Sequence, residues 1–86
     1  MKVTGVSGQL KVGGRVAASL GRWSYDGTPA GWKVEADTSD VDEFWFDNER
    51  PMDLWLDVGQ QAWKWRGVTV KGQSRVTISG QGSHET

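Results

Sequence analysis

The sequence predicts an all-β chain, a small antiparallel sandwich or partly open barrel of six to seven strands. Short runs rich in Val, Trp and Thr are broken by twelve glycines, with only two prolines, in 86 residues. Within those runs apolar and polar side chains alternate at the period of two that half-buries a strand. Between them lie Gly-Gly, DGTPAG and Gly-Gln breaks of the kind that reverse a chain.

The first run, residues 3–12, sends Leu10 and Val12 to one face and Gln9 and Lys11 to the other. Gly13-Gly14 then supplies the positive φ angles of a two-residue hairpin turn. On the returning strand, which begins at Arg15, Val16, Ala18 and Leu20 share a face. Trp23 and Tyr25 fall out of phase with them, and a β-bulge at Gly21 brings both sets to the core. After the turn at residues 26–31, Trp32, Val34 and Ala36 alternate with Lys33, Glu35 and Asp37, the cleanest half-buried pattern in the chain.

The pattern changes in TSDVDEFWFDNERP, residues 38–51. Ser39 suits a helix cap with Asp42 reaching back, and Val41, Phe44 and Trp45 have i, i+3, i+4 spacing. This favours one short helix over residues 40–48, with a short strand as the alternative. Beyond Pro51, Met52, Leu54, Leu56 and Val58 alternate with Asp53, Trp55 and Asp57, and Gly59-Gln60 turns the chain into AWKWRGVTVKG, residues 62–72. There Trp63 and Trp65 share one face and Lys64 and Arg66 the other. Val68 and Val70 are out of register with the tryptophans, which places a second bulge at Gly67. A last strand over residues 75–79 turns Val76 and Ile78 inward. Residues 1–80 thus read as one β domain and residues 81–86 as a mobile polar tail. The predicted core is Leu10, Val12, Trp23, Trp32, Leu54, Leu56, Trp63, Trp65, Val76 and Ile78.

A chain this short buries only about 60 to 65% of its unfolded surface. With no cysteines, neither a disulfide nor a thiolate metal site reinforces it, and six tryptophans with Phe44, Phe46 and Tyr25 take over that role. A formal net charge of −1 gives no overall field for nucleic acid or an anionic membrane. Residues 1–14 lack an apolar signal region, and no apolar run approaches the roughly 18 residues of a membrane span, so no membrane association is expected.

Catalytic chemistry is sparse. The one histidine, His84, lies in the polar tail, and neither a second imidazole nor a cysteine is present to build an activated nucleophile. The acidic run Glu35, Asp37, Asp40, Asp42 and Glu43 lacks the glycine and distal glutamate of an EF-hand loop, and reads as a solvated acidic loop. A glycosidase would need two carboxylates converging on a cleft, for which the chain has little room. Neither an enzyme nor a cofactor is expected. Single-stranded nucleic acid is disfavoured because period-two geometry separates Trp63 and Trp65 from Lys64 and Arg66. Trp55, between Asp53 and Asp57 on the outward face of its strand, suits either a saccharide ring or a protein interface, and interface composition favours the second.

The N-terminal stretch VTGVSGQLKVGGRVAASLGRWSYD resembles the opening hairpin of tail-tube-type proteins of tailed bacteriophages, where G-x-x-G-x-L-x-V-x-G leads into a small-residue strand ending in Trp-Ser. VTVKGQSRVTISGQG is similar to the closing strands of such domains. The resemblance covers about half of the chain with loose motifs. It implies a β-sandwich that assembles through inter-subunit contacts and is not an enzyme. The expected role is a virion structural subunit, tail-associated by preference, with a capsid decoration or head–tail joining protein as the alternative and a carbohydrate- or cell-wall-binding module as the second. Its expected partners are copies of itself and other virion proteins, and its interface candidates are Trp55, Phe46, Arg50, Lys64, Arg66, Asp40, Asp42 and Glu43.

Overall fold

Alternation at period two gives strands with one apolar face, and such faces are hidden most completely when the sheet closes on itself. A computed structural model describes residues 2–28, 30–47 and 50–82. Its strands in chain order are β1 (Lys2–Gly5), β2 (Gly8–Val12), β3 (Arg15–Thr28), β4 (Gly31–Ser39), β5 (Met52–Val58), β6 (Gln61–Lys71) and β7 (Arg75–Gly80). Neighbours run β3-β2-β5-β6-β7-β4, and β4 pairs back onto β3, so six antiparallel strands close a barrel. Two meanders, β2-β3-β4 and β5-β6-β7, are joined along β2–β5 and β4–β7. Residues 40–51 carry the chain from one meander to the other.

β1 is the extra strand. The single run expected over residues 3–12 is broken at Val6 and Ser7, and its two pieces lie successively along β3. The break is tied down at Ser7. Its carbonyl accepts the Trp23 indole N–H at 2.7 Å and the Asp57 backbone N–H at 3.1 Å, and its hydroxyl donates to the Asp57 carboxylate at 2.7 Å.

Of the predicted core, Leu10, Trp23, Trp32, Leu54, Leu56, Trp65, Val76 and Ile78 are buried. Val12 and Trp63 are half-buried and pack against that core from its margin. Ala18, Leu20, Tyr25, Val34, Ala36, Met52, Val68 and Val70, which the alternation turns to the same faces, are buried as well, and so is Ala17, which it does not. Tyr25 joins three tryptophans, with ring centroids 6.2 Å from Trp32, 5.7 Å from Trp63 and 5.6 Å from Trp65. Trp32 and Trp65 are closer still, at 4.6 Å. The Trp32 indole N–H is buried without an acceptor, so the ring packing must outweigh a desolvation penalty of about 1–3 kcal/mol.

Three bulges bend the strands. At Gly67, φ is 65° and β6 spends one extra residue between Trp65 and Val68 while β5 passes from Leu54 to Met52. This is the expected bulge, and it turns both Trp65 and Val68 inward. The phase break near Gly21 is also resolved by an extra residue, but the left-handed conformation falls on Arg22, at φ 48°. The third bulge has no glycine to mark it. Leu10 pairs with Ala18 and Lys11 with Val16, so Ala17 is the inserted residue; Ala17 and Ala18 both face the core, and Val16, expected inward, is 40% exposed.

The short helix expected over residues 40–48 is not formed among the described residues. The Trp45 and Phe46 N–H groups both donate to the Asp42 carbonyl, which closes a single turn. Asp42 rather than Ser39 caps it, its carboxylate accepting the Phe44 N–H at 3.0 Å. One turn is what this segment can sustain, because helix nucleation is unfavourable and the chain must still reach β5. Asn48 lies outside the described residues, as do His84 and most of the polar tail.

Gly67 carries a direct test. No atom lies within 4 Å of the place a Cβ would take, so alanine there meets only backbone strain. Gly67→Ala is expected to lower stability by about 1–2 kcal/mol, read as a lower urea midpoint with an unchanged slope.

Candidate interface on the outer face and the end loop

The outward side chains of β2, β5 and β6 are placed by register. Trp55 on β5 pairs with Gln9 on β2 and Lys64 on β6, and Lys11 lies one diagonal step away opposite Asp53. Side chains directly across or diagonal on one face are within reach of a large ring. The Lys11 ammonium sits 3.6 Å and the Lys64 ammonium 4.1 Å from the Trp55 ring centroid. Both contacts are of cation–π type, which holds the indole half-buried on the surface. Neither ammonium is paired with a carboxylate among the described residues.

The carboxylates beside Trp55 are occupied otherwise. Asp57 accepts from the Ser7 hydroxyl, and Asp53 faces the Gly67 N–H at 3.4 Å across the bulge. The flanking acceptors are thus used within the chain, and ammonium groups lie on the ring.

The second surface is the segment 40–47 at the end of the barrel where β4 ends and β5 begins. The Asp42 N–H donates to the Ala17 carbonyl at 2.8 Å, the Arg15 guanidinium lies 5.0 Å from the Trp45 ring centroid, and Phe46 packs against the core. These three anchors leave Phe44 no route inward. The residue is 80% exposed and its ring meets Trp45 edge-on at 5.3 Å; Val41 beside it is 37% exposed. Next to them, Thr38, Ser39, Asp40, Val41, Phe46 and Ser74 line a groove of about 680 Å³.

The acidic run of the sequence is divided between two places. Glu35 and Asp37 lie on the outer face of β4. Glu35 meets Lys33 at 3.2 Å and Arg75 at 3.6 Å, and Asp37 meets Arg75 at 2.7 Å. Asp40, Asp42 and Glu43 are exposed in the end loop with no cation paired to them among the described residues, and Asp40 holds a left-handed φ of 49°. Among the described residues no three His, Cys, Asp or Glu are grouped to hold a metal ion.

Of the other interface candidates, Arg50 is exposed and meets Asp47 at 3.7 Å, Arg66 is exposed on β6, and Phe46 is half-buried. The structure brings Trp55 together with Lys64, and Asp40 and Glu43 together with Phe46 at the groove; it does not bring these two groups together within one chain. Sequence reasoning missed Phe44 and Lys11. Phe44 shows in the sequence only as part of a helical spacing with Val41 and Trp45, although three consecutive aromatics cannot all point inward from a loop. Lys11 is visible only once the β2–β5 register is known.

The Lys33 ammonium, with Arg75 beyond it, lowers the Glu35 pKa from its ordinary 4.5. A carboxylate with a depressed folded-state pKa adds stability that is present above the unfolded value and is lost as pH falls through the folded one. Between pH 6 and pH 3 the urea midpoint of Glu35→Gln is therefore expected to fall less than that of the wild type. Comparison of the chain with protein-family models, with curated proteins and with solved structures finds no match.

Proposed function

We propose that the chain is a structural subunit of a tailed-bacteriophage virion, tail-associated, which works through repeated protein–protein contacts. The observation that carries this reading is Phe44, a fully formed aromatic knob held in water by a pinned loop. Exposing a large ring is unfavourable for an isolated domain, whereas buried aromatic anchors dominate the energetics of protein contacts. Around it Val41 and Phe46 extend the apolar patch, and Asp40, Asp42 and Glu43 give it a charged rim, the usual anatomy of an interface. The virion assignment itself rests on the resemblance of residues 3–26 and 68–82 to tail proteins. A capsid decoration or head–tail joining subunit would use the same surface.

Sedimentation velocity over a concentration series tests the reading. The purified chain is expected to self-associate reversibly or to bind virion particles. Phe44→Ser is expected to weaken that association at least about tenfold while leaving the thermal midpoint unchanged. A chain that stays monomeric at high concentration and is absent from particles overturns the proposal.

A further inference from the structure

The charges of this chain are neutralised on one wall and left open at two other places. On β4 and β7, Lys33, Glu35, Asp37 and Arg75 pair among themselves. On the β2–β5–β6 face, Lys11 and Lys64 lie on the Trp55 ring, beside Asp53 and Asp57, which engage the Gly67 N–H and the Ser7 hydroxyl, and at the barrel end Asp40, Asp42 and Glu43 surround Phe44; neither the ammonium groups nor the end-loop carboxylates form an ion pair among the described residues.

We infer that copies of the chain associate head to tail, with the Phe44 loop of one copy docking on the Lys11–Trp55–Lys64 face of the next. The inference deepens the assembly reading and rests on it. Charge selects the occupant. A two-fold contact between like surfaces would bring Asp40, Asp42 and Glu43 of both loops together, or both lysine pairs, and like charges facing each other oppose association. The unlike contact joins three carboxylates to two ammonium groups and gives Phe44 an indole to pack against, with edge-to-face geometry available. Lys11 and Lys64 can leave the ring for carboxylates, exposing the Trp55 face as they do so.

Because the two surfaces differ and each copy offers one of them to a given contact, the contact is heterologous, and a pair of copies keeps one free loop and one free face between them. Such contacts propagate into a closed ring or an open filament according to the rotation between neighbours. One surface lies at the barrel end and the other on its side, so successive copies are turned relative to each other.

Two variants test this without touching the core. Lys11→Glu with Lys64→Glu reverses the face and keeps the loop. Glu43→Lys with Asp40→Asn takes the loop from three negative charges to a net of zero and keeps the face, asparagine being chosen because it tolerates the left-handed conformation at position 40. Circular dichroism melts verify that both fold; if repulsion between the new carboxylates and the indole face lowers the first melt, Lys11→Gln with Lys64→Gln takes its place. By sedimentation velocity at low salt, the wild type is expected to form oligomers, each variant alone to stay monomeric, and an equimolar mixture to form a one-to-one heterodimer that grows no further. Association of the wild type should weaken as salt is raised. If each variant alone assembles as the wild type does, or if both lose assembly and the mixture forms no heterodimer, the head-to-tail contact is wrong while assembly through another surface stands. A wild type that stays monomeric overturns this contact, and one that is also absent from particles overturns the assembly reading with it.

Discussion

Six short antiparallel strands close into a barrel only if their walls bend, and the three bulges that bend them determine most of what else the chain does. The insertion at Ala17 turns two successive small side chains inward and aims the Ala17 carbonyl at the Asp42 N–H. Curvature of β3 and anchorage of the end loop are therefore one event: the residue that bends the wall also holds the segment carrying Phe44. At Arg22 the extra residue resets the phase so that Trp23 faces the core and its N–H meets the Ser7 carbonyl at the β1–β2 break. At Gly67 the bulge lets Trp65 and Val68 share the interior. A strand kept strictly alternating at any of these points would turn one set of apolar side chains to water.

Closure also explains the use of aromatic residues. A barrel of this size has an interior just wide enough to be filled by side chains, and without disulfides the filling must carry the stability. Each buried aromatic ring removes roughly 150–250 Å² from water. Tyr25, Trp32 and Trp65 stack or tilt across the interior while Trp63 closes its margin edge-on to Tyr25 and Trp65. The penalty is polar: indole donors are hard to satisfy in such packing. Trp23 has the Ser7 carbonyl because the chain breaks beside it, whereas Trp32 is packed where no acceptor is available.

What was legible in the sequence is what local alternation encodes. Trp32, Val34 and Ala36, and Leu54 with Leu56, announced their faces, and the phase breaks after Leu20 and before Val68 announced two bulges. The bulge at Ala17 was silent because alanine fits either face, so Val16 was read as inward in unbroken phase. The helix expected over 40–48 failed for a related reason: its apolar spacing is helical, but the segment must span from one meander to the other, and its turn is held by the Ala17 carbonyl, a partner set by tertiary structure. Closure, the β2–β5 register and hence the meeting of Lys11 with Trp55 depend on pairings between distant segments that no local pattern contains. The end loop was recognised as acidic and aromatic, but which of its rings would be left in water was not.

Closure finally limits how such a chain can associate. Association by sheet pairing between copies would need free strand edges. In this barrel β2 through β7 each pair with strands on two sides, and β1, four residues long, is the strand with a single partner. Backbone pairing between copies is thus confined to a short segment, and contacts of any extent must be made by side chains on the closed surface. A net charge of −1 conceals how those side chains are arranged. The β4–β7 wall is internally neutral, the β2–β5–β6 face sets two ammonium groups, unpaired among the described residues, on an indole between Asp53 and Asp57, and the barrel end is locally anionic around a phenyl ring. Separated patches of opposite sign on one small surface cannot satisfy each other within a rigid barrel. Between barrels that restriction does not apply, because there the orientation of one patch to another is set by docking and not by the fold.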